Sequence, residues 1–244
     1  MHGDGTAKIP MDMRKRKFMK IVASIQARLS SSRLPGKVLK NISGKPMLKW
    51  QIERIRKSRF IDDVIVATTN NPVDDKIVEF CKKNEVTYFR GSEGDVLQRI
   101  TDLVEKHNVD IHVECFGDSP LVDPEIIDEF IIFLKKNHSY LDYVSNSIKT
   151  TYPPGSEVIV YKGSSLIKAN QLVPKDDPLR EHVSFHIYSN PEIFSIKNLS
   201  APDELNYPDF FIEVDTIEDF KVMSFIIEKM TLAKRDFTTA QIIQ

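Results

Sequence analysis

The stretch SIQARLSSSRLPGK, residues 24–37, decides how the chain is read. It follows a short apolar run, Ile21-Val22-Ala23, of the kind that forms the first buried strand of an α/β sheet. Arg28, Arg33 and Lys37 fall close together in it, separated by the hydroxyls of Ser30, Ser31 and Ser32 and by a Pro35-Gly36 turn. Open α/β sheets place their ligands in loops that leave the carboxyl ends of strands. Cations among hydroxyls suit a polyanion such as a nucleoside triphosphate, because Arg offers a planar fork to phosphate oxygens and Lys a mobile point charge. A solvated basic loop would have the same composition, so the rest of the chain has to decide between the two.

Outward from this loop the pattern is regular. Residues 47–58 repeat apolar side chains at Met47, Leu48, Ile52 and Ile55, which is helical spacing. Residues 63–68, DVIVAT, form a continuous apolar run, as expected of a parallel strand covered on both faces. Asn71 and Pro72 open a helix whose inner stripe is Ile77, Val78, Phe80 and Cys81. A third strand over 86–89 is followed by a helix over 93–108, a fourth strand over 110–116 and a long helix opened by Pro124. This alternation predicts an α/β fold, a Rossmann-like, doubly wound, mostly parallel sheet with right-handed crossovers and helices on both faces.

Beyond Leu141 the pattern changes. Strands are expected at 143–145, at 158–161 as part of a protruding β-arm, at 193–196 and at 210–214. Helical pieces are expected at 165–171 and 179–185, and a helix at 216–230 with Phe220, Val222, Met223, Ile226 and Ile227 packed. Without a linker or composition shift, 19–244 is expected to be a single domain and 1–18 a disordered leader.

The chain has 244 residues, 41% hydrophobic and 28% charged, which suits an ordinary globular protein. A formal net charge of -1 argues against a nucleic-acid binder, which usually carries a basic footprint. No apolar run is long enough to span a bilayer, and Cys81 and Cys115 suggest neither a disulfide framework nor a zinc site. The cytoplasm is the expected location.

Phosphoryl or nucleotidyl transfer also needs a divalent cation, and magnesium prefers a few carboxylate oxygens completed by water and phosphate. Asp118 follows the fourth strand and a glycine, and Asp215 follows the strand expected at 210–214, so both should stand at the sheet edge that carries the cationic loop. Each also has a plain reading. Asp215 precedes Thr216-Ile217-Glu218 and Asp118 precedes a turn, so either could cap backbone N–H groups.

Several segments taken together resemble one family. They are the 24–37 loop, Gly44-Lys45-Pro46-Met47, Val64-Ile65-Val66-Ala67-Thr68, Gly117-Asp118-Ser119-Pro120-Leu121 and Val214-Asp215-Thr216-Ile217-Glu218-Asp219. In this order they are similar to the cytidylyltransferases, which include the CMP-sialic acid and CMP-KDO synthetases. The SpsF-like spore-coat polysaccharide branch is nearer still. Asp142-Tyr143-Val144-Ser145-Asn146, Tyr152-Pro153-Pro154-Gly155 and Arg180-Glu181-His182-Val183-Ser184 resemble its later segments.

The resemblance implies a nucleotide-diphospho-sugar transferase type of sheet, CTP as donor, a small sugar or acid as acceptor, Mg2+ as cofactor and a homodimer. It assigns Arg28, Arg33 and Lys37 to the triphosphate and to catalysis, and Asp118 and Asp215 to the metal. Ala27, Ser32, Arg90 and Phe116 fall in the nucleotide-binding segments. Asn146, Tyr152, Arg180 and His182 are the acceptor candidates. Arg180 and Glu181 could equally be a surface pair, His182 could be structural, and the segment after Arg90 could be a helix start capped by Ser92.

Two positions depart from the pattern. Better-known CMP-sugar synthetases carry a polar, base-reading residue where this chain has Phe116, so nucleotidyl transfer is better supported than cytosine specificity. Ser156 and Glu157 replace a leucine and an aspartate of the SpsF-like pattern. The rival readings are an enzyme of this fold with another nucleotide or a phosphorylated acceptor, and a catalytically silent nucleotide-binding subunit. A P-loop kinase is disfavoured, since no stretch has that loop's glycines and Gly-Lys-Ser/Thr ending.

Overall fold

The computed structural model describes residues 19–235 and 237–244, so the leader expected over 1–18 lies outside the described residues. Strand β1 (Ile21–Gln26) lies in the middle of the sheet. Ile21, Ala23 and Ile25 enter the core on one face and Val22 the core on the other, the two-residue period of a strand covered on both sides. After it come β2 (Asn41–Ile42) and β3 (Lys45–Pro46), which form a small antiparallel ribbon, and α1 (Met47–Ile55). Then β4 (Asp63–Thr69), α2 (Asp75–Lys83), β5 (Thr87–Gly91), α3 (Val96–Lys106), β6 (Ile111–Phe116) and α4 (Pro124–Lys136) alternate as the sequence predicts.

The second half supplies β7 (Tyr143–Ser145), β8 (Ile159–Lys162), α5 (Gly163–Leu172), α6 (Phe185–Tyr188), β9 (Ile196–Asn198), α7 (Ile217–Leu232) and α8 (Thr239–Ile243). The seven-stranded sheet runs β5-β4-β1-β6-β8-β7-β9, and only β8 is antiparallel to its neighbours. The direction of winding reverses between β1 and β6. Such a switch point opens a crevice at the carboxyl ends of the strands, where ligands bind.

The second half differs from the sequence reading in five places. The strand expected over 193–196 forms instead as β9, after a turn at 191–194. The strand expected over 158–161 in an arm is β8, which lies inside the sheet between β6 and β7. Residues 210–214 are extended but form no strand; Ile212 N–H donates to Pro154 O at 2.7 Å and Val214 N–H to Asp118 O at 2.8 Å, so they bridge loops instead of joining a ladder. The helix expected over 179–185 is a 3-10 turn, Pro178–Glu181, capped by Asp177 and followed by the short α6. On α7, Met223 and Ile227 are buried, but Val222 is 54% and Phe225 59% exposed, so this helix keeps a second apolar face outward.

No helix among the described residues is long and apolar enough to cross a membrane. Cys81 and Cys115 are free and buried, and burial pushes both thiols up to about 12, which leaves them unreactive.

Candidate active site

The exit of β1 is held between its neighbours. Ala27 N–H donates to Ala67 O at 3.1 Å, and Gly117 N–H donates to Gln26 O at 3.0 Å. A Cβ at Gly117 would stand 2.7 Å from that same oxygen, so glycine is what lets the two strand exits meet. The 24–37 loop then doubles back on itself, with Gly36 N–H donating to Leu29 O at 3.0 Å and Gly36 in the left-handed region at φ 70°. The return brings Lys37 back to the strand edge beneath Arg33.

Lys37 is 8% exposed, and its ammonium has three oxygen partners. Nζ donates to Val214 O at 2.7 Å, Asp215 Oδ1 at 3.1 Å and Asp118 Oδ2 at 3.3 Å. The more exposed Arg33 adds a contact to Asp215 Oδ1 at 2.9 Å. Asp215 does not cap α7. Thr216 does, in a capping box with Asp219.

Glu213 and Glu157 flank the two aspartates. Burial raises the Glu213 carboxyl, and the charges of Glu157, Asp118 and Asp215 raise it further. Burial likewise raises Glu157, with a contribution from Asp118. The edge is thus a concentration of negative charge facing a concentration of positive charge.

Two carboxylates that both reach one small cation match the hard oxygen donors that magnesium takes from proteins, the remaining positions being left to water and phosphate. Asp118 and Asp215 therefore fit a magnesium ion as its protein ligands. Among the described residues they are not part of any preformed group of three or more ligands.

A cavity of about 500 Å³ opens on this edge. Ala27, Arg28, Ser32, Arg33, Lys37, Phe116, Asp118, His182 and Asp215 all line it, so nine of the expected site residues share one wall. A cavity of about 600 Å³ at the opposite edge, lined by Met19, Val104, Asp110, His138 and others, has no such pairing of cations and carboxylates.

Four expected residues are placed elsewhere. Arg90 turns away to brace the loop after β4, donating to Thr69 O at 2.8 Å, Asn71 O at 3.0 Å and Asp75 Oδ1 at 2.7 Å. Arg180 is 2% exposed and holds Asp95 Oδ2 at 2.9 Å, Asn170 Oδ1 at 2.5 Å and Val173 O at 3.2 Å. Asn146 is buried between Ser156 O and the Val158 N–H, and Tyr152 packs edge-on against Phe130. The cap of α3 is Asp95, which accepts from Gln98 N–H at 2.9 Å; Ser92 Oγ instead accepts from Asp95 N–H.

The cavity also has lining residues outside the expected site set, among them Gln26, Glu93 and Arg99. Burial and the nearby charge of Arg28 lower Arg99 to about 10. Gln26 Nε2 donates to Glu114 Oε1 at 2.9 Å, and Glu114 is 2% exposed beneath the floor. The sequence did carry one signal for this pair. A polar residue at every second position of an otherwise apolar strand, His112 and Glu114 in DIHVECF, marks one face of β6 as polar.

A switch-point crevice whose edge joins basic loop residues to paired aspartates defines an α/β nucleotide-binding enzyme. The cytidylyltransferase family pattern matches residues 22–240, and the chain belongs to that family of nucleotidyltransferases. It is 31% identical to the spore coat polysaccharide biosynthesis protein SpsF of Bacillus subtilis over 213 residues, 86% of this chain and 87% of SpsF. It is 39% identical to an uncharacterized protein of Methanocaldococcus jannaschii over 204 residues, 84% of this chain and 82% of that protein. A solved cytidylyltransferase from Leptospira borgpetersenii superposes with a TM-score of 0.80 at 33% identity, covering 86% of this chain and 87% of the other.

Proposed function

We propose that the protein transfers CMP from CTP to a sugar acid or a related acceptor, releasing pyrophosphate, in the assembly of a surface polysaccharide or glycan. The observation that carries this reading is the convergence of Arg28, Arg33 and Lys37 with Asp118 and Asp215 on one cavity. Family membership and the likeness to SpsF support it.

In this reading the nucleotide lies over the β1, β4 and β5 half of the sheet, with its triphosphate along the 24–37 loop. The acceptor reaches the α-phosphate beside His182, which lines the same cavity. An acceptor oxygen attacks the α-phosphorus in line. The new P–O bond forms as the bond to the bridging oxygen of the β-phosphate breaks, and pyrophosphate leaves. The acceptor's proton passes to a base at the same wall, His182 in this reading.

Arg28, Arg33 and Lys37 offset the charge that develops on the phosphate oxygens, and Lys37, already held by three oxygens, needs little reorganisation during the reaction. Asp118 and Asp215 would hold magnesium, which supplies Lewis-acid charge to those oxygens. The setting is the cytoplasm, where nucleoside triphosphates are available. The working unit is a homodimer, supported by the outward apolar stripe of Val222, Phe225 and Leu232 on α7.

One observation favours a second reading. Phe116 is an apolar residue on the cavity wall, which leaves room for a different base or for a phosphorylated acceptor. Thermal unfolding with magnesium and each of CTP, UTP, ATP and GTP separates the two, because a ligand that binds the native state raises the melting temperature. Selective stabilisation by CTP, followed by pyrophosphate release with a sugar acid, is the expected result. Selective stabilisation by another nucleotide overturns the cytidylyl assignment, and no response to any of them favours a silent subunit.

A further inference from the structure

Asp74 is fully buried and takes no part in lining the cavity, yet it grips the loop that does. Its Oδ1 accepts from the Leu29 N–H at 2.8 Å, and Leu29 directly follows Arg28. Its other oxygen accepts from Thr69 Oγ1, which in turn accepts from the Asn71 N–H at 3.1 Å. The Leu29 carbonyl meanwhile receives the Gly36 N–H at 3.0 Å. Both sides of this residue are therefore tied, one to the exit of β4 and the other to the loop's own return.

The turn that presents Asp74 is itself braced. Arg90 holds the Thr69 and Asn71 carbonyls from behind, and Glu93 accepts from Asn71 Nδ2 at 2.9 Å and from Ser30 Oγ at 3.0 Å. A carboxylate that accepts from a backbone N–H makes a strong, charge-assisted bond, and removing it leaves a polar group without its partner. Beyond this neck Ser30, Ser32 and Arg33 are exposed, with Glu93 on Ser30 and Asp215 on Arg33 as the side-chain contacts that join the Leu29 anchor in setting their register.

We infer that Asp74 is a positioning residue for triphosphate binding. It fixes the Leu29 amide so that Arg28 and the serines after it present one arrangement of donors to the phosphates. The inference rests on the phosphate-binding reading of the 24–37 loop. A side chain that served only the fold would change the melting temperature and leave phosphate affinity in the folded protein unaltered.

The test is isothermal titration of the full chain with magnesium tripolyphosphate and with magnesium CTP, well below each variant's measured melting temperature. Asp74→Ala is expected to weaken both ligands by about 10- to 100-fold, on the scale of a lost charged hydrogen bond. Asp74→Asn keeps an oxygen for the Leu29 N–H and is expected to stay within about threefold of the parent protein. Unchanged affinity in Asp74→Ala overturns the inference, as does an equal loss in both variants. If Asp74→Ala does not fold, Thr69→Val removes the hydroxyl that donates to Asp74 and accepts from the Asn71 N–H, which loosens the turn that presents Asp74, and unchanged tripolyphosphate binding in that variant overturns the inference. A parent protein that binds tripolyphosphate but not CTP would sink the proposed donor while leaving the role of Asp74 to be decided by tripolyphosphate. A parent protein that binds neither would sink the phosphate reading of the loop itself.

Discussion

Lys37 Nζ lies 3.1 Å from Asp215 Oδ1, and the same ammonium reaches Asp118 Oδ2 at 3.3 Å. Two carboxylates far apart in sequence thus share a single cation contributed by the loop after β1. Lys37 stands where both carboxylates point, so a divalent ion and this ammonium repel one another at short range. Lys37→Ala is therefore expected to bind Mn2+ several-fold more tightly than the parent protein when no nucleotide is present, as read by the loss of the free-ion signal in electron paramagnetic resonance. It should also lose at least about 100-fold in turnover, the cost of removing a preorganised charge from a reacting phosphate. Mn2+ affinity that stayed the same or fell would sink the idea that the lysine and the metal compete.

Asp118→Asn keeps the shape of the side chain and removes its charge. The carboxylate is about one-third exposed and its ion pair with Lys37 is long, so the melting temperature should move by only a few degrees. Turnover should disappear. Near-normal pyrophosphate release in this variant would remove Asp118 from the metal assignment. Arg28→Ala should weaken triphosphate binding far more than acceptor binding, and the reverse result would mean that the loop faces the other substrate.

Arg180 gives the opposite kind of prediction. Its guanidinium is buried among Asp95, Asn170 and Val173, so it joins α3 to α5 and fixes the turn that carries Glu181 and His182 to the cavity. Arg180→Ala leaves those partners unsatisfied and should cost about 3 kcal/mol, with a fall of several degrees or more in melting temperature. An unchanged melting temperature together with a raised acceptor KM would show instead that Arg180 meets the acceptor directly.

The first half of the fold could be read from the sequence because each element carries its own period. The apolar run of β4, the stripe of α2 and the Pro124 start of α4 are local signals, and all three appear where they point. The 24–37 loop and Asp118 could be placed for the same reason, since they follow β1 and β6, whereas the strand expected over 210–214 before Asp215 does not form, and Asp215 reaches this edge through the Val214 N–H bond to Asp118 O. What stayed hidden depends on tertiary contacts. Nothing near Arg180 in the sequence announces that Asp95, 85 positions away, will take its charge. Phe210, Ile212 and Val214 look like a strand, but their N–H groups meet loops instead of a neighbouring strand.

Glu114 allows a prediction that is independent of any substrate. Burial raises its carboxyl from 4.5 to about 7, although the bond from Gln26 and the nearby Ser184 favour the charged form. The groups that face it are Gln26 on β1, Tyr161 on β8, Ser184 before α6, and Tyr143 and Tyr188, whose hydroxyls feel its charge; none of these is a cation. Between pH 4.5 and about 7 the folded chain holds a proton on Glu114 that the unfolded chain has lost. Stability from this group is thus fully present below pH 4.5 and declines as the pH rises through 7, by an amount on the order of 3 kcal/mol. Glu114→Gln keeps an oxygen for Gln26 and never ionises. Its melting temperature should exceed that of the parent protein at pH 8, and the difference should shrink towards zero by pH 4.5. A difference that is constant with pH would mean that Glu114 does not carry this ionisation, and the buried floor of the cavity would then owe its polarity to another group.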